Sequence, residues 1–171
     1  MNSSHCVSVF LMLLCAGCAK TPVIPPAELA LLSFEKSANN SFIVNFSSTV
    51  NLLIAFNHYE RSNQLNPTLI CSLDGDMEFS SEHAINVKAE GRVEENSENP
   101  SGYEFTTELL FYNVRPDGTQ HDLNDYEAIR PLLIKQSFIP CKVRITAYGY
   151  KAYYTQTLLI PSTLMQERMF R

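Results

Sequence analysis

From residue 29 onward, apolar side chains recur at every second position over short stretches, the pattern of strands that bury one face. Leu31 to Lys36 is a first such stretch, ended by Asn39-Asn40. Ser41 to Phe46 sets Phe42, Val44 and Phe46 on one face. Val50 to Asn57 would align Val50, Leu52, Ile54 and Phe56, with Leu53 and Ala55 giving it a second apolar face, as in a central strand. His58 to Asn66 is polar, stops before Pro67 and reads as a loop. Thr68 to Leu73 is the next strand, closed by Asp74-Gly75-Asp76. Ala84 to Val93 alternates more weakly, and Gly91 there predicts a bulge. Glu94 to Gly102, the most acidic stretch, reads as a mobile loop.

Tyr103 to Arg115 is a long strand rich in aromatic and β-branched residues. It ends at Pro116-Asp117-Gly118, where Pro fixes φ and Gly accepts a positive one. Asn124 to Arg130 predicts a single helical turn, and Leu132 to Lys135 a short strand. Cys141 to Tyr148 is the cleanest alternator, expected to pair with Tyr153 to Ile160 across Gly149-Tyr150-Lys151. After Pro161, residues 162–171 predict a short helical or irregular tail, with Ser162 or Thr163 as cap. About seven to nine strands at this spacing, with no crossover helix between them, predict an antiparallel β-sandwich over residues 29–161.

Composition changes this picture little. The 171 residues are 45% hydrophobic and 18% charged, enough for one domain with a real core. A formal net charge of −5 argues against nucleic acid as partner, because phosphate binding needs a basic stripe.

The amino terminus says more. Val7 to Ala16 is apolar but for Ser8, too short to cross a bilayer and suited to the core of a secretory signal. Leu14 and then Ala16-Gly17-Cys18 follow, and this order resembles the lipobox of bacterial lipoproteins. The resemblance implies a signal peptide over residues 1–17 and diacylglycerol on Cys18. Ala19 after the cysteine, rather than Asp, implies sorting to the outer membrane, facing the periplasm. Residues 18–28, with Pro22, Pro25 and Pro26, are then an extended tether.

Of the five cysteines, Cys6 and Cys15 leave with the signal and Cys18 carries lipid, so Cys71 and Cys141 remain. Each shares an apolar strand face, Cys71 with Leu69 and Leu73, Cys141 with Val143 and Ile145. An oxidising compartment favours a disulfide between them over two buried thiols. Closing a loop of about 70 residues would contribute about 4 kcal/mol by chain-entropy reasoning.

Catalytic and metal chemistry is hard to find. Asp74-Gly75-Asp76 with Glu78 begins like a calcium loop, but Phe79 and Ile85 stand where Gly and a bidentate Glu are needed, so a turn with solvated carboxylates is expected. His58, His83 and His121 have no partner at metal-ligand spacing. His121-Asp122 with Asp125 could orient a base, yet no Gly-x-Ser-x-Gly elbow accompanies them. The expectation is no enzyme, no metal and no cofactor. Tyr148, Tyr150, Lys151 and Tyr153 cluster around the last hairpin and are the candidate partner-binding residues, since tyrosine beside cations offers rigid contact area with a polar handle. The sequence thus points to a lipid-anchored envelope module that binds a protein, of the inhibitor or immunity kind. An accessory of an envelope machine is the alternative, and an unrecognised hydrolase a more distant one.

Overall fold

The computed structural model describes residues 19–37, 41–60, 62–99 and 102–170. Cys18 and the signal segment lie outside the described residues. Nine strands form one antiparallel sheet: β1 (Leu29–Lys36), β2 (Phe42–Ser48), β3 (Thr68–Ser72), β4 (Val87–Asn99), β5 (Gly102–Val114), β6 (Gln120–Asp122), β7 (Phe138–Ile145), β8 (Tyr153–Tyr154) and β9 (Leu158–Pro161). The order is β1-β2-β5-β4-β3-β7-β8, with β6 on β5 and β9 on β7. The all-β antiparallel architecture and the helical tail agree with the alternation. The two facing layers belong to one sheet that curls into a nearly closed barrel.

Curling follows from the one-sided pattern. Phe42, Val44 and Phe46 of β2, Leu69 and Cys71 of β3, Phe105 and Leu109 of β5, and Ile139, Cys141, Val143 and Ile145 of β7 are all fully buried or nearly so. They meet in one cluster with Phe34 and Ile160. The Phe34 ring stacks on Phe42 at 5.7 Å, and Phe42 meets Phe111 edge-on at 5.6 Å. Cys71 and Cys141 face each other across β3 and β7 and form a disulfide (S–S 2.05 Å).

The gap in the barrel lies between β1 and β9, and the C-terminal helix Ser162–Phe170 packs against both. Its buried face is Met165 and Met169. The Ser162 hydroxyl donates to the Leu133 carbonyl, and Gln166 Nε2 donates to the same oxygen at 3.2 Å. These bonds satisfy a carbonyl near the end of the short helix Arg130–Ile134, which has no intrahelical partner of its own there.

Five expectations are corrected. Leu52–Ile54 is a 3₁₀ turn, not a strand. Leu52 and Phe56 are buried while Ile54 is exposed, so the face repeats every four residues. Asn51 Oδ1 accepts the Leu53 N–H at 3.1 Å, and Gln64 clamps the turn through Phe56 N–H (2.9 Å) and the Leu52 carbonyl (2.9 Å). Leu132–Lys135 is helical rather than extended: Pro131 sits at the start of Arg130–Ile134, and Leu133 alone is buried. Residues 94–99 and Gly102 are strand rather than loop: β4 and β5 run on antiparallel to each other, with Glu95 opposite Phe105 and Glu98 opposite Tyr103, while residues 100 and 101 lie outside the described residues. Acidic residues are compatible with a strand whose far edge is open to water, and no other strand among the described residues covers that part of β4.

The fourth concerns Gly91. The register runs unshifted from Glu90↔Leu110 to Val93↔Thr107, and the irregularity falls between Glu95 and Ser97. Gly91 is a close approach: a Cβ there would stand 2.0 Å from the Glu108 carbonyl oxygen and 2.7 Å from Thr107 Cγ2. The strand expected over Tyr153 to Ile160 is also split. The Thr155 hydroxyl accepts the Val143 N–H at 3.0 Å, taking a place in the ladder, and β9 resumes lower on β7.

Gly91→Ala should lower stability by about 1–3 kcal/mol, the usual range for forcing atoms into a packed site. Urea denaturation of the two proteins measures it.

Candidate functional site

The tyrosines of the last hairpin hold the chain's own amino-terminal segment. Gly149 takes a positive φ of 78°, turning the backbone so that its carbonyl accepts the Lys20 N–H at 2.9 Å. The Lys151 N–H donates back to the Lys20 carbonyl at 2.8 Å, making a parallel bridge between Lys20 and Tyr150. Further along, the Tyr59 hydroxyl accepts Val23 N–H at 2.6 Å. The Tyr153 hydroxyl accepts Ala27 N–H at 2.7 Å and donates to the Pro25 carbonyl at 2.9 Å. Burial raises the Tyr153 pKa, and the Ala27 bond partly offsets this. Ala27 is wholly buried, and its carbonyl accepts Gln156 N–H at 2.9 Å. The segment expected as a tether is therefore extended and laced to the barrel.

The four predicted partner-binding residues divide accordingly. Tyr150 packs against Tyr59 (ring centroids 5.1 Å) and Phe56 (5.7 Å), and Tyr153 is bonded to the segment. Tyr148, 80% exposed, and Lys151 face solvent.

A second surface lies at the other end of the barrel. Register Cys71↔Cys141 and Ser72↔Lys88 carries β3 and β7 away from the tyrosine turn toward Asp74 and Phe138. There Met77, Leu132, Phe138 and Leu159, with Pro140 beneath, line a shallow depression of about 360 Å³ flanked by Asp74 and Lys135. Met77, Phe138 and Leu159 are each about half exposed. The sequence hid this surface because its residues come from a loop, a helix and two strands. Apolar residues on the outward face of β7 and β9 were the only trace.

The acidic turn beside it carries no cation-type cage. Asp74 Oδ1 accepts the Ser72 hydroxyl (2.8 Å), and Asp76 Oδ1 accepts Glu78 N–H (2.8 Å) in an Asx-type turn. Asp76 Oδ2 lies 2.5 Å from His83 Nε2. Among the described residues no group of three or more potential ligands could hold a metal ion. His121 and Asp122 lie exposed on β6, while Asp125 caps the 3₁₀ turn Tyr126–Ala128 through Glu127 N–H (3.1 Å). The structure gives these three no shared hydrogen bond.

No known protein family, curated protein or solved structure matches this chain.

The His83–Asp76 pair makes a pH prediction. The Asp76 hydrogen bond raises the His83 pKa against a smaller effect of burial, with the charges of Asp76, Glu78 and Asp74 adding. Asp76 is lowered by the His83 bond and then by Glu78 N–H. The histidine contribution is full below its unfolded pKa of about 6.5 and is lost as pH rises through the raised folded value. The aspartate contribution is present above the usual carboxylate range and is lost as pH falls through the lowered one. The stability difference between wild type and His83→Gln should therefore be largest near about pH 5 and shrink toward about pH 8. Denaturant midpoints of both proteins across that range check it.

Proposed function

We propose that this chain is a bacterial envelope lipoprotein, anchored by acyl chains on Cys18 and facing the periplasm from the outer membrane. Its barrel is a non-enzymatic binding module for a protein partner, of the inhibitor or immunity kind. The depression around Phe138 is the observation that carries the binding reading. Half-exposed aromatic, thioether and aliphatic side chains around a concavity are costly to leave in water and are what interfaces use as anchors. Asp74 and Lys135 at its rim suit a partner that presents an apolar side chain between groups of both charges. The disulfide buried at the β3–β7 seam supports an oxidising compartment. The tyrosine turn is a weaker candidate for the partner, because Tyr150 and Tyr153 already bind the amino-terminal segment.

The anchor is tested by labelled palmitate: the wild type should incorporate it and sediment with membranes, and Cys18→Ser should do neither. Unchanged fractionation of the serine variant overturns the anchor.

The binding surface is tested with a photo-crosslinking side chain at Phe138 in intact cells, set against one at the outward-facing Leu110 of β5. A discrete adduct should form at Phe138 alone. Once its partner is identified, Phe138→Ala should weaken the complex by about 2 kcal/mol, roughly thirtyfold, as expected for a central apolar anchor. Equal crosslinking at both positions removes the assignment.

A further inference from the structure

Resting on the lipid-anchor reading, we propose that the barrel end formed by Asn63–Leu65 and Tyr148–Lys151 lies on the bilayer surface, held there by the laced amino-terminal segment. The first argument is length. Only Ala19 separates Cys18 from Lys20, whose backbone is bridged to Tyr150, and two residues of extended chain span at most about 7 Å. Acyl chains on Cys18 would bring that turn to the headgroups, whereas a free tether of ten residues would let the domain stand some 30 Å away.

The second argument is what surrounds the clip. Val23 is 89% exposed, Leu65 65% and Tyr148 80%. Leu65 N–H donates to the Thr146 carbonyl and Tyr148 N–H to the Asn63 carbonyl, while Val23 N–H donates to the hydroxyl of Tyr59, whose ring packs on Tyr150 of the same turn at 5.1 Å. Aliphatic side chains with a tyrosine between Lys20 and Lys151 match the interfacial zone, where rings sit among headgroups and ammonium groups reach water. Lys20 Nζ lies 5.9 Å from the Tyr150 ring centroid, and the acidic part of β4 with Glu94 and Glu95 runs toward the same end of the barrel. The contact thus rests on the anchor and the apolar side chains rather than on net charge.

The test uses protein purified from membranes and reconstituted in vesicles of phosphatidylethanolamine and phosphatidylglycerol. The mass of its amino-terminal peptide is read in parallel. Hydroxyl-radical footprinting should show Leu65 and Tyr148 protected several-fold relative to the lipid-free Cys18→Ser protein, with Met77 and Phe138 at the far end unchanged. Lys20→Pro, which removes the N–H bonded to Gly149, should return Tyr148 toward its lipid-free reactivity with the barrel still folded. A lipidated peptide with Tyr148 fully reactive overturns the surface contact and leaves the anchor standing. A peptide without lipid overturns the anchor, and the contact falls with it.

Discussion

The inner face of one antiparallel sheet carries most of the apolar mass of this chain, and such a face is hidden only when the sheet rolls onto itself. Among the described residues no second sheet lies over the outward positions. Rolling brings β2 and β5 against β3 and β7, joins Phe34, Phe42, Phe46 and Phe105 with Leu69 and Val143, and leaves one seam between β1 and β9. The remaining elements respond to that seam or to the open ends. The terminal helix lays Met165 and Met169 across the gap, the 3₁₀ turn inserts Leu52 and Phe56, and the amino-terminal segment presses Ala27 inward.

Strand positions were legible where one face is wet and the other buried, as at Phe42-Val44-Phe46 and Cys141-Val143-Ile145, because a period of two then has a single meaning. Legibility failed where two periods coincide. Val50 to Phe56 has apolar residues at both even and four-residue spacing, and the Asn51 cap and the Gln64 clamp decide between them. Polarity misled over residues 94–99, because two strands can extend on backbone hydrogen bonds alone once β2 supports one side of β5. The Cys71–Cys141 pairing was within reach because both residues sit on alternating inward faces.

The surfaces were less legible than the core. The tyrosine cluster was visible in the sequence, but its engagement with Lys20, Pro25 and Ala27 involves residues more than 120 positions away in a stretch with no periodicity. Backbone groups make most of those bonds, and backbone groups leave no mark on sequence. The depression around Phe138 is likewise assembled from Met77, Leu132 and Leu159, none of them remarkable alone. What the sequence offered was chemistry at single positions; proximity came from the rolling of the sheet.

Beyond Val93, whose N–H donates to the Pro67 carbonyl, no strand among the described residues pairs with the edge of β4 that faces away from β5, so the amides and carbonyls on that edge lie open to any extended chain. Glu94 and Glu95 line that rim. Two copies meeting rim to rim would crowd like charges before a single intermolecular amide bond could form. The carboxylates thus act as a guard against self-assembly, one that weakens as dissolved salt shortens the reach of the repulsion.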